Sequence, residues 1–397
     1  MTIISPISWV QEAFKEYFDK AHMTDSSHWH DASAQTENNG QKTSRNPSHT
    51  RFEAQPDREN RADLPDTFSR KTKPETSTTK QTQSENLVDN WTATYDYGFE
   101  PARGIENGNA VWITPDLLIA NNAWRARHNL PSLLFEAPAA DWLARLPQEL
   151  TQRSVITLPV SQIRAWNELP DGLGERPWSQ LSSGRVPEFR AARRTLHQLK
   201  LDLKQAPDES LITISSHVDC ITEEWCVIVG GDKAVASSGY CVHRSADEDS
   251  HDILTVFDGA RFHDSYRLIA ESLAAKAAQA VHLDNASIIV GFRESRGTAD
   301  NAGDAEPSNM NLQSLQYPKA ATQPVIIEAD PIWCTTPYPF ETAKEANAFL
   351  KAISDSRIYE TDDGMFKKRN GQSVMEADAY APDPWMVRHA AHRYDRF

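Results

Sequence analysis

The stretch EEWCVIVGGDKAVASSGYCVH, residues 223–243, constrains the fold of this chain more tightly than any other. Trp225 to Val229 is an apolar run of strand length, Gly230-Gly231-Asp232 supplies the turn, and Ala234 to Val242 returns. Two such runs joined by a glycine-rich turn form a β-hairpin. SLITISSHV precedes it, and SIIVGF and PVIIEAD follow it. The polar insertion 294–322 separates the last two, which makes them a natural antiparallel pair. Helical stretches are expected at Ser265–Ala280 and Ala343–Ser354, so the fold class is α+β.

The last of these strands ends in chemistry. In PVIIEADPIWCTTPYPF, residues 324–340, the β run Val325-Ile326-Ile327 leads to Glu328 and Asp330, and Pro331 stops it. Side chains alternate along a strand, so these two carboxylates project from one face. Hard oxygen ligands at a strand end suit Mg²⁺, which takes one or two carboxylates together with substrate phosphates. The alternative is a solvated strand end carrying ordinary acidic residues.

Composition sets the outer limits. The 397 residues imply two or three domains. Lys and Arg number 41 against 56 Asp and Glu, a net charge of −15, which argues against a nucleic-acid or anionic-membrane binder. No apolar run approaches the roughly 20 residues of a membrane helix. The opening MTIISPISWVQEAF lacks the basic and apolar regions of a signal peptide. Four cysteines without a zinc spacing read as reduced thiols, and a cytoplasmic location is expected.

Along the chain, residues 1–21 carry an amphipathic helix with Trp9, Val10, Ala13, Phe14, Tyr17 and Phe18 at helical spacing. It either docks on the body or, with the segment after it, binds a protein partner. Residues 22–90 are too polar to offset their ordering entropy and read as a disordered linker. Residues 91–170 alternate strand and helix, with a strand at Val155–Leu158 and a helix at Ala139–Leu150, as a small α/β lobe. The connector LPDGLGERPWSQLSSGRVPEF has the character of a phosphate-covering loop, with Arg176 and Arg185 as its charges. Its glycines fit neither the P-loop nor the dinucleotide-binding pattern. A basic helix is expected over Glu188–Lys204. Residues 357–397 form a tail with no pattern that translates into chemistry.

Three motifs, RPWSQLSSGRV, SSHVDCITEEWCVIVGGDKAVASSGYCV, and ASIIVGF followed by VIIEADPIWCTTPY, resemble the ATP-grasp superfamily, in particular its divergent bacterial members. The resemblance covers roughly residues 112–340, within an ATP-grasp-like region at 171–356. It implies an antiparallel sheet folding over ATP, with Mg²⁺ bridging the phosphates. It also implies a ligase that activates a carboxylate as an acyl phosphate for attack by an amine or a related nucleophile. Glu328 then matches the metal carboxylate at the strand end, and Asp330 stands where Asn is usual. Glu224 matches the acidic residue near the nucleotide hinge. Arg185, or Arg176, serves the phosphates, and Arg293 is a further phosphate candidate. The chain also departs from the family. The usual phosphate-binding lysine is missing from RPWSQLSSGRV, with Lys200 and Lys204 as substitutes at other spacings. Val290-Gly291-Phe292 stands where a metal-binding Asp is usual. These losses keep open a non-catalytic module that binds nucleotide or a protein partner.

Two further constellations stand outside these motifs. In FDGARFHDSYR, His263 is either an acid–base group or part of a helix entry capped by Asp264 or Ser265. Cys334 directly follows the carboxylates, as a small buried hydrophobe or as a nucleophile.

Overall fold

The computed structural model describes residues 2–4, 10, 12–15, 94–96, 110–231, 233–245, 251–294 and 322–394. All belong to one compact unit formed by segments 1–25 and 90–397. The 22–90 segment and residues 295–321 of the insertion lie outside the described residues.

β1 (Thr2–Ile4) is the centre of a three-stranded parallel sheet, flanked by β2 (Thr94–Asp96) and β3 (Val111–Ile113). The helix α1 (Pro115–Arg127) follows, with Pro115 in its first turn, where a missing N–H costs nothing. β4 (Leu134–Phe135) precedes two one-turn helices, α2 (Trp142–Arg145) and α3 (Gln148–Thr151). The single helix expected over 139–150 breaks here because Leu146, preceding Pro147, is driven into the extended region.

A four-stranded antiparallel sheet comes next. It is built from β5 (Val155–Pro159), β6 (Trp178–Leu181), β7 (Ala192–Arg193) and β8 (Leu211–Ser215) in the order β5-β8-β6-β7. Two helices belong to it: α4 (Val160–Arg164) after β5, and α5 (Leu196–Asp202) between β7 and β8. The basic helix expected from Glu188 therefore begins only at Leu196, where Thr195 and Gln198 close a capping box. Before it, Ala192 and Arg193 pair with β6, and buried Arg194 is tied to the Ser179 carbonyl at 3.2 Å and to Asp202 at 2.7 Å.

The hairpin forms β9 (Ile221–Gly230) and β10 (Lys233–Ser245), with Lys233 paired to Gly230 across the turn. With β11 (His251–Thr255), β12 (Asn285–Glu294) and β13 (Thr322–Pro331) they make a five-stranded antiparallel sheet, β11-β10-β9-β12-β13. β12 and β13 pair antiparallel, as the insertion between them implied. Period-two alternation divides the strands between two cores. Trp225, Val227 and Val229 face α6 (Asp264–Ala280), whose Ala270, Ala274, Ala277 and Ala278 allow close approach. Cys226, Ile228 and Ile289 face Ala346, Phe349, Leu350 and Ile353 of α7 (Ala343–Asp355). Residues 10 and 12–15 are helical, and Val10 and Phe14 are buried in this second core. Phe14 stacks on Phe349 with ring centroids 6.1 Å apart.

The C-terminal residues are structured as well. β14 (Arg357–Glu360), β15 (Phe366–Lys368) and β16 (Ser373–Val374) join β4 in the sheet β16-β15-β14-β4. The last helix, α8 (Pro384–Arg393), is N-capped by Asp383 and sends Trp385 and Met386 into the core of the β5–β8 sheet. Among the described residues, no helix is long and apolar enough to cross a membrane.

Candidate functional site

Glu328 and Asp330 sit near the end of β13, opposite Ile289 and Ser287 of β12. The register shifts between Ile289 and Val290, so Ile327 is an extra residue on β13 just before Glu328. Arg153 braces this bulge from behind. Its guanidinium donates to the Ile326 carbonyl at 2.6 Å, to that of Ile327 at 3.0 Å and to that of Thr151 at 3.2 Å. Burial brings the Arg153 guanidinium down to about 10, while the charge of Glu328 pulls it upward.

Arg185 approaches from the loop after β6. Its Nη2 lies 3.1 Å from Glu328 Oε1, with the guanidinium largely in solvent. Gln180 of β6 also hydrogen-bonds Glu328. Burial and the neighbouring Asp330 push the Glu328 carboxyl up to about 7, against the pull of Arg185, and Glu224 adds to the push. Burial raises Asp330 too, with Arg185 opposing. No described residue donates a hydrogen bond to Asp330. Two half-buried carboxylates that resist ionising together, one of them without a donor, are a donor set that a small divalent cation fits. Tyr240 and Tyr338 face the same region with ring centroids 5.3 Å apart. Burial pushes the Tyr240 hydroxyl up to about 12 and raises that of Tyr338 as well.

The other candidates make their contacts elsewhere, although the charge of Glu224 reaches Glu328. Arg176 is exposed four residues before Gln180, and its backbone carbonyl accepts from Arg193 at 3.5 Å. Arg293 is at the far end of β12, six residues from the Ser287 that pairs with Asp330. Its guanidinium is engaged by Gln323 at 2.5 and 3.1 Å. Glu224 points toward β10, where His243 Nε2 lies 2.8 Å from its Oε1. Lys200 is taken up by the Trp166 carbonyl, and Lys204 is exposed.

His263 itself, not Asp264 or Ser265, is the N-cap of α6. Its ring is paired with buried Glu223, which also accepts from the His263 backbone N–H at 3.2 Å and from Trp225 Nε1 at 3.2 Å. Burial raises the Cys334 thiol far above its usual range, and it donates to the Pro331 carbonyl at 3.3 Å.

No protein-family model matches the sequence, and no curated protein matches it. Among solved structures, the chain is similar to D-alanine–D-alanine ligase from Bacillus anthracis, at 10% identity and a TM-score of 0.37. That match covers 67% of this chain and 86% of the other. It is also similar to the ATP-grasp ligase PsnB complexed with minimal precursor, at 13% identity and a TM-score of 0.31, over 63% of this chain and 67% of that one. A further PsnB structure, with a phosphomimetic precursor variant, Mg and ADP, has 12% identity and a TM-score of 0.30, covering 63% and 64%.

Proposed function

We propose that this chain is an ATP- and Mg²⁺-dependent ligase of the ATP-grasp kind, joining a carboxylate to an amine or related nucleophile through an acyl phosphate. The observation that carries it is the convergence of Arg185 with Glu328 and Asp330. One antiparallel sheet contributes the carboxylates, and the loop after β6 in a second sheet contributes the arginine. Glu328 and Asp330 would hold Mg²⁺, which supplies charge neutralisation across the phosphates. Arg185 is free on its solvent side to meet a phosphoryl oxygen, where a guanidinium offers paired donors. Gln180 and Arg153 keep Glu328 in place.

A non-catalytic nucleotide-binding module is the second possibility, and one observation favours it. Opposite the acidic pair, β12 offers Ser287 and Ile289, with no third carboxylate. Catalysis of this kind depends on positioning and electrostatics, so each missing ligand counts.

Calorimetric titration of Mg-ATP into the purified chain tests both. Binding that requires magnesium and disappears in Glu328→Ala places the nucleotide at this strand end, and ATP turnover then separates ligase from module. No binding by the intact chain would sink both readings.

A further inference from the structure

A second group of ligand-type side chains lies on the same sheet, two strands away from the acidic pair. Glu224 of β9 pairs in register with Cys241 of β10, and His243 is two residues further along β10. The register shift between Gly239 and Cys241 makes Tyr240 the extra residue and turns Cys241 and His243 toward Glu224. One ligand atom from each residue, the Cys241 sulfur, a His243 ring nitrogen and a Glu224 oxygen, all lie within 4.8 Å of one another.

The way they meet excludes a nucleophile–base–acid relay. Such a relay uses both imidazole nitrogens, one for the nucleophile and one for the acid. Here His243 Nε2 alone faces both partners, Cys241 Sγ at 3.6 Å and Glu224 Oε1 at 2.8 Å. Cys241 is also buried, with only 2% of its surface exposed. Three ligand atoms of these kinds gathered within 4.8 Å of one another instead suit a shared cation.

We propose that Glu224, Cys241 and His243 form a binding site for a borderline-soft transition metal of the Zn²⁺ class. Sulfur, imidazole nitrogen and carboxylate oxygen are the Zn²⁺ donors, with bonds of about 2.0–2.3 Å that place ligand atoms roughly 3.3–3.7 Å apart in a tetrahedron. The 3.6 Å separation of Cys241 Sγ from His243 Nε2 matches that spacing, while His243 Nε2 and Glu224 Oε1, at 2.8 Å in a direct hydrogen bond, must part by roughly half an ångström to admit the ion. Thiolate and imidazole are poor ligands for Mg²⁺, so this site is chemically distinct from Glu328 and Asp330. Three protein ligands leave a fourth position for water or another oxygen donor. On binding, the Cys241 sulfur–hydrogen bond breaks, the electron pair stays on sulfur to form the metal bond, and the proton leaves to solvent. The site gives Glu224 a task other than the nucleotide hinge and does not depend on the ligase reading.

The test is titration of the reduced, metal-free full chain with Co²⁺ alone, followed by displacement with Zn²⁺. The expected result is a near-ultraviolet thiolate-to-cobalt band with visible bands of tetrahedral intensity, bleached by Zn²⁺. Zn²⁺ binding in weak buffer should release a proton. Cys241→Ser should abolish the near-ultraviolet band, and His243→Gln should weaken metal binding by more than the roughly 10–100-fold of an outer-shell loss. Glu328→Ala should keep the band. A wild-type chain without the band or without proton release overturns the proposal, as does a band that survives in Cys241→Ser. Should Cys241→Ser fail to fold, the wild-type proton count and His243→Gln still decide.

Discussion

Arg153 donates to the carbonyl of Ile326 across 173 residues of sequence, at 2.6 Å, and so ties the start of β5 to the bulge that presents Glu328. Replacing it with Met leaves the buried carbonyls of Ile326, Ile327 and Thr151 without their donor. The expected loss is about 2–4 kcal/mol in urea unfolding with an unchanged m-value. Arg153→Lys should recover only part, because an ammonium does not reproduce the planar fork that serves separate carbonyls. A midpoint shift worth under about 0.5 kcal/mol would mean that the bulge holds its shape without Arg153.

Arg185 makes the opposite kind of contact, an ion pair with Glu328 whose cationic side is largely solvated. Its removal should hardly touch stability, within about 1 kcal/mol. If the guanidinium waits for phosphate, Arg185→Ala should weaken Mg-ATP binding about 10–100-fold, and Arg185→Lys should keep the charge but lose the paired geometry. Calorimetry on both variants decides. Unchanged affinity in Arg185→Ala would reduce the contact to a surface ion pair.

Much of this was legible in local pattern. The hairpin, the β12–β13 pair and the common face of Glu328 and Asp330 follow from period-two alternation and turn residues, which act over a few positions. Arg185 stood out because a loop rich in glycine with an arginine in it has few structural reasons to exist. Arg153 and Gln180 carried no such mark. Their partners on β13 are more than 140 residues away, and a lone polar residue beside a strand looks the same whether it braces a site or meets water. The register shift at Tyr240 that gathers Cys241 and His243 against Glu224 was equally invisible. The basic spacing over 188–204 suggested one helix, but Arg193 pairs in β7 and Arg194 is tied to β6.

Gly184 precedes Arg185 with φ +146°, and a Cβ there would lie 2.0 Å from Met386 Sδ on α8. Gly184→Ala therefore combines backbone strain, about 1–3 kcal/mol, with a collision against a flexible side chain. The loop should shift and carry Arg185 off Glu328, lowering Mg-ATP affinity about tenfold. Adding Met386→Ala relieves the collision and leaves the strain, so the double variant should regain only part of that affinity. Wild-type affinity in Gly184→Ala would show that Arg185 does not depend on this loop geometry.

Lys368 links three elements in a buried ionic cluster, with its Nζ 2.8 Å from Glu136 Oε1 and 3.0 Å from Asp284 Oδ2. Glu136 also accepts from Asn285 Nδ2 at 2.8 Å. Burial raises the Glu136 carboxyl above its ordinary value despite Lys368 and Asn285. Burial also acts to raise Asp284, but hydrogen bonds from Lys368 and Gln372 and the Lys368 charge bring it below its ordinary value. The signs are opposite. The Glu136 contribution is fully present below the unfolded carboxyl value near 4.5 and is lost as pH rises through the folded value. That of Asp284 is present above its unfolded value near 3.8 and is lost as pH falls. Glu136→Gln should destabilise the chain by about 3–5 kcal/mol at neutral pH, since Lys368 loses a buried partner. It should also flatten the decline in stability that begins near pH 4.5, while the acid-side loss from Asp284 persists. Urea midpoints collected from pH 3.5 to 8 measure both limbs. An unaltered slope above pH 4.5 in Glu136→Gln would assign the decline to another group and mean that folding does not raise the Glu136 carboxyl.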